Sequence, residues 1–105
     1  MALSMHDKIC DATKMLFVEE DMSKSQVNKP LVGKPNNTWN YSSGTTNLLS
    51  GILRQQFKTH QEYLNFWYSA LIDKIGMHSM LVETDMAGNY VGSSYGWATT
   101  RDWAK

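Results

Sequence analysis

The clearest alternation of apolar and polar positions begins near the middle of the chain. Leu48, Leu49, Ile52, Leu53 and Phe57 fall on one face at a period of 3.6 residues, and Thr45 or Thr46 stands ahead of them as a cap. This predicts an amphipathic helix. Gly51 within it costs up to about 1 kcal/mol against alanine, which suits a place where another backbone comes close. Thr59 and Glu62 then spell a T-x-x-E capping box, opening a second helix from His60 to Ile75. Its stripe is Tyr63, Leu64, Phe66, Trp67, Ala70, Leu71 and Ile75, and Gly76 supplies a left-handed stop. Two helices joined by so short a turn are expected to pack as an antiparallel pair.

Patterning is weaker on either side. Near the front, Asp11 can cap a short helix over residues 12–18, with Met15, Leu16 and Phe17 as its apolar content. The acids Glu19, Glu20 and Asp21 suit the start of a second short helix running to Val27. Residues 29–40, KPLVGKPNNTWN, hold both prolines and three asparagines and read as a loop. After Gly76, the stretches Met80 to Glu83 and Tyr90 to Gly92 flank a turn at residues 85–89, which predicts a small hairpin. GSSYG, residues 92–96, is loop, and Thr99 or Thr100 caps a last helix through Lys105.

The expectation is therefore a mainly α fold: an antiparallel helix pair, short helices and a small β-hairpin. Residues 1–40 form short helices and loop, 41–76 the helix pair, 77–98 hairpin and loop, and 99–105 the start of a further helix. A capped helix of barely one turn cannot bury a face by itself, so the chain reads as one subdomain cut from something longer.

Composition narrows the chemistry. Ten basic and ten acidic residues cancel, with no Lys/Arg cluster, which argues against nucleic acid and anionic membrane surfaces as partners. No apolar run approaches the roughly 20 residues of a membrane span. Cys10 is the only cysteine, so no internal disulfide and no CxxC metal site can form. His6, His60 and His78 do not stand at metal-ligand spacing with one another or with Cys10, and no cofactor motif is present. Asn36 and Asn40 each open an N-x-Ser/Thr sequon, a pattern common by chance. Four Trp, five Tyr and three Phe are many for 105 residues, and all but Phe17 fall from Trp39 onward. That half holds either the core or a surface built to meet something else.

The stretch with chemical content is residues 39–54, WNYSSGTTNLLSGILR. A tyrosine, two serines and a glycine directly before an amphipathic helix put Tyr41 and Ser43 at a loop-to-helix junction, where side chains are held firmly yet stay accessible. On the residues alone, the plainer account has Tyr41 packing on the helix and Ser43 capping it.

This stretch resembles the Tyr-x-Ser/Asn motif of penicillin-recognising serine hydrolases, and among them the class C β-lactamase, carboxylesterase and oligomer-amide hydrolase group. The flanks ATKMLFVEEDM, KPNNTWNYSSG and LIDKIGMHSMLVETDMAGNYVGSSYGWATTRDWAK are also similar to segments of that group. The resemblance implies the helical subdomain of the β-lactamase-like fold. It implies that Tyr41 acts with the lysine of a Ser-x-x-Lys motif to activate a serine nucleophile, and that Ser43 hydrogen-bonds that lysine and the substrate. A phenol with an ordinary pKa near 10 serves as a base only where cations stabilise the phenolate. It also implies that Tyr95 and Trp97, loop aromatics beside glycines, contact substrate. Serine rather than asparagine at position 43 points to an esterase, amidase or peptidase rather than to antibiotic hydrolysis. No Ser-x-x-Lys occurs in the 105 residues, nor a Lys/His-x-Gly on a predicted edge strand. The chain is thus expected to need the remainder of a parent hydrolase to act on an ester or amide, and to be inactive alone. An excised piece would expose a broad apolar face and self-associate through it. The competing expectation is a small helical protein-binding module with an aromatic interaction surface.

Overall fold

The computed structural model describes residues 10–105, which form a mainly helical fold with one small antiparallel sheet. In chain order the elements are α1 (Asp11–Phe17), α2 (Met22–Val27), α3 (Ser43–Arg54), α4 (His60–Trp67), β1 (Leu81–Val82), β2 (Gly96–Trp97) and α5 (Thr100–Trp103). Residues 1–9, including His6, lie outside this description.

Helix starts follow the capping residues, though not always those the pattern suggested. Cys10 rather than Asp11 occupies the position before α1, and Asp11 becomes the first helical residue, where its charge favours the helix N-terminus. α2 begins at Met22, later than the acidic run implied. Asp21 Oδ1 accepts the Lys24 amide at 2.9 Å and Asp85 Oδ2 accepts the Met22 amide at 2.9 Å, so two free donors of the first turn meet carboxylates. α3 begins two residues before Thr45, because Ser42 Oγ takes the Thr45 amide at 3.2 Å. The Thr59–Glu62 capping box at α4 forms in both directions. Beyond Trp67 the helix widens into a π-helical turn, Tyr68–Ile72, and Gly76 ends it at φ +72°. Thr99 caps α5 through the Asp102 amide.

α3 turns a different face inward from the one its leucines suggest. Asn47, Ser50 and Gly51 are buried, whereas Leu49 and Ile52 are 59% and 50% exposed. Its principal helix partner is α2 and not α4, so the expected antiparallel pair is replaced by an α2–α3 pair. Small side chains decide this. Any Cβ on Gly51 would overlap the Ser23 side chain of α2, and one on Gly44 would overlap Gln26. At the C-terminal end of α3, Arg54 lies 5.6 Å from the ring centroid of Tyr63 in α4 and donates to the Phe57 carbonyl of the connecting segment at 3.3 Å.

The hairpin also shifts. A bridge between Thr84 and Tyr90 closes the turn at residues 85–89, but the ladder itself pairs Leu81 with Trp97 and Val82 with Gly96. The second strand is thus residues 96–97 rather than 90–92, and the serine-rich loop 92–95 lies inside the hairpin. Asp85 explains the turn. Its carboxylate accepts the Asn89 amide at 2.8 Å and the Asn89 side chain at 3.3 Å while holding the start of α2.

Two packed clusters hold these pieces. Met15, Met22 and Val91 form one, with Leu16 and Tyr95 against them. Tyr63, fully buried, centres the other, with Phe57, Trp67 and Arg54 around its ring and Tyr90 against Trp67 at 4.7 Å. Phe66 and Trp67 are half-buried in this cluster, Phe66 against Phe57 and Trp67, and Trp67 against Tyr63 and Tyr90. The Tyr63 hydroxyl accepts the Tyr90 amide at 2.8 Å, which fastens α4 to the hairpin. No helix among the described residues is long and apolar enough to cross a membrane.

Candidate functional site

The head of α3 carries the two residues singled out for chemistry. Tyr41 is 84% exposed, in extended chain just before the helix. Capping falls to Ser42, whose hydroxyl also meets Thr45 Oγ1 at 2.9 Å. Ser43 is the first helical residue and half-buried, and no described residue hydrogen-bonds its hydroxyl. The division of labour follows from the fold of the junction: a side chain at the position before the helix points back over the first amides, and one at the first helical position does not.

Ser43 lines an open cavity of about 510 Å³. Its walls come from α1, the 29–35 loop and the head of α3, and they place Lys29 and Lys34 on the same rim as Ser42, Ser43 and Thr45. Lys29 is engaged by Asp11 at 3.3 Å. Neither Tyr41 nor Tyr95 nor Trp97 lines this cavity.

Tyr95 and Trp97 lie together elsewhere. Their rings are nearly parallel, 22° apart, with centroids separated by 6.2 Å. Tyr95 packs on the methionine–valine cluster. Trp97 stands in β2 and donates its indole N–H to Glu83 Oε2 at 2.7 Å. What joins this pair to α3 is Asn47, buried at the heart of the fold. Asn47 Nδ2 donates to Ser93 Oγ at 3.1 Å, and Asn47 Oδ1 accepts the Ser93 amide at 3.3 Å. The helix bearing Ser43 and the loop leading to Tyr95 are therefore fixed to each other by one side chain.

Sequence reasoning passed over Asn47, Asp85 and Glu83. Asn47 carried a readable sign, since Ser43, Asn47, Ser50 and Gly51 recur at helical spacing as a small, polar stripe opposite the leucines. Glu83 gave none, because its relation to Trp97 exists only once the hairpin register is set.

Titratable groups elsewhere have local causes. Burial pushes the Tyr63 and Tyr90 hydroxyls up. Hydrogen bonds from Thr13 hold the Cys10 thiol below its usual range, Thr13 Oγ1 lying 3.1 Å from the sulfur. The Ser79 hydroxyl and amide, at 2.6 and 2.8 Å, hold the Asp102 carboxyl below the usual carboxylate range. Among the described residues no three His, Cys, Asp or Glu side chains form a group able to hold a metal ion. Lys-x-Gly is spelled at Lys74–Gly76, but there it follows the π-helical turn after α4 and lies on no strand.

No family model matches the chain, and no curated protein or solved structure matches it.

Proposed function

We infer that this chain is part of a β-lactamase-like serine hydrolase acting on an ester or amide bond. Tyr41 is its proton-transferring base and Ser43 the hydrogen-bonding partner of the motif. The observation that carries the reading is the Tyr41-Ser42-Ser43-Gly44 junction. Ser42 supplies the cap of the helix, which leaves the Tyr41 phenol exposed and the Ser43 hydroxyl uncommitted beside a cavity. A catalytic pair needs that freedom, because groups already committed to capping cannot relay a proton. The nucleophile and its lysine are not in these 105 residues, so acyl-enzyme chemistry requires a further polypeptide that supplies them.

The isolated chain is expected to show no turnover of a chromogenic ester. Combined with a hydrolase segment carrying Ser-x-x-Lys, it is expected to gain activity that Tyr41→Phe abolishes and Ser43→Ala reduces. An assembly equally active with phenylalanine at position 41 would sink the assignment.

A second reading, a helical protein-binding module, draws support from the exposed aromatic and aliphatic side chains of the hairpin and α5, Leu81, Trp97 and Trp103. Light scattering separates the two. Self-association of the isolated chain favours an excised subdomain, whereas a monomer favours the module.

A further inference from the structure

The hairpin presents a surface that neither cavity nor core accounts for. Leu81 and Trp97 are direct cross-strand partners, and residues so paired project on the same face of a ribbon. Glu83 and Tyr95 stand just beyond the strand ends, where the Glu83 amide donates to the Tyr95 carbonyl at 3.0 Å and carries the pairing on, so that period two returns them to that face. The result is a shelf of four side chains. Trp97 is 53% and Leu81 57% exposed. Tyr95 continues the aromatic surface at 6.2 Å and, by packing on Met15, Met22 and Val91, anchors it to the core.

Charge sets what this shelf suits. Glu83 is held by the Trp97 indole through one carboxylate oxygen, which fixes its place at the ring edge. No cation among the described residues forms an ion pair with it. An exposed aromatic side chain beside a carboxylate that no described cation pairs with is attractive to an organic cation. A planar guanidinium fits better than an ammonium: it lies flat on indole, and its fork of donors extends past the ring edge toward the second carboxylate oxygen. Small ligands ordinarily need a concavity that buries most of their surface. Leu81, Glu83, Tyr95 and Trp97 line neither the cavity beside Ser43 nor the smaller open one between α2 and the end of α3, walled by Ser23, Val27, Gly51 and Arg54. A projecting side chain from a macromolecule has no such need.

We propose that the Leu81–Glu83–Tyr95–Trp97 shelf docks an arginine side chain of a polypeptide partner, with the guanidinium on Trp97 and against Glu83 and the aliphatic stem over Leu81. The inference stands on the ribbon alone and does not draw on the hydrolase reading, so failure of one leaves the other untouched.

The test is a titration of the intact chain with a short blocked peptide, glycine-arginine-glycine, followed by the nitrogen-15 correlation spectrum. A saturable shift of the Trp97 indole N–H and of the Leu81 to Glu83 amides is expected, weakening as salt is added. Glu83→Gln is expected to weaken binding about two- to fivefold, the size of an exposed charge pair. Trp97→Leu is expected to remove the amide shifts while the rest of the spectrum keeps its dispersion. The proposal is overturned if no saturable shift appears into the tens of millimolar. It is overturned equally if glycine-glutamine-glycine or glycine-lysine-glycine shifts the same signals with the same affinity, or if Glu83→Gln binds as the wild type does.

Discussion

Asn47 offers the sharpest test of how this fold is held. Its side chain is buried between Met15, Met22 and Ser93, with the amide nitrogen 3.5 Å from Met15 Sδ and 3.1 Å from Ser93 Oγ. Replacing it by alanine removes two hydrogen bonds to Ser93, each contributing about 0.5–1.5 kcal/mol net. It also leaves a void where the carboxamide stood, at about 1 kcal/mol or more. Together Asn47→Ala is expected to cost about 2–4 kcal/mol, a large share of the roughly 5–15 kcal/mol by which domains are stable. Asn47→Leu separates the two contributions. Leucine refills the volume beside two methionines but leaves the Ser93 amide and hydroxyl without their partner, so a loss of about 1–3 kcal/mol is expected to remain. Urea unfolding followed by far-ultraviolet circular dichroism measures both. If Asn47→Leu lies within about 0.5 kcal/mol of wild type, the hydrogen bonds contribute nothing net, and the claim that they fasten α3 to the 92–95 loop is wrong.

Further outcomes follow from other contacts. Gly51→Ala raises helix propensity but drives a methyl into Ser23, so it is expected to destabilise by about 1–3 kcal/mol, and Ser23→Gly is expected to recover part of that loss in a double-mutant cycle. Leu49→Ala, on the exposed face of the same helix, is expected to change the urea midpoint by no more than about 0.5 kcal/mol equivalent. Tyr63→Phe leaves the Tyr90 amide without its acceptor and is expected to cost about 1–3 kcal/mol with little change in the aromatic packing. Asp102 is held below its unfolded pKa by Ser79, so its carboxylate contributes stability above the unfolded value and loses that contribution as pH falls through the folded one. Asp102→Asn is therefore expected to lower stability at neutral pH and to flatten the decline below about pH 4, as read from urea midpoints across that range.

The local chemistry of the chain was legible without coordinates where a short-range rule governs. The Thr59–Glu62 box, the left-handed Gly76 and the Thr99 cap each involve residues within four positions of one another, so spacing and side-chain type determine them. The mainly helical class followed from the same rules, as did the closeness of backbone at Gly51. Tertiary structure decided which face each helix buries. α3 has two stripes at helical spacing, one of leucines and one of small or polar residues. Apolar content alone favours the first, but the second lets the α2 backbone come close and offers Asn47 to Ser93, so Leu49 and Ile52 are left outward and Leu48 and Leu53 are only half-buried. The second strand, expected at residues 90–92, falls at 96–97 for a similar reason. Residues 90–92 and 96–97 each join an aromatic to a glycine, so short-range pattern does not separate them; Asp85, reaching across to the start of α2, holds the 85–89 turn, and the ladder forms further out between 81–82 and 96–97. The candidate site divides along the same line: the sequence placed Tyr41 and Ser43 at a helix entrance, while the fold assigned the cap to Ser42 and put Trp97 beside Glu83, because contacts between residues far apart in the chain exist only after packing.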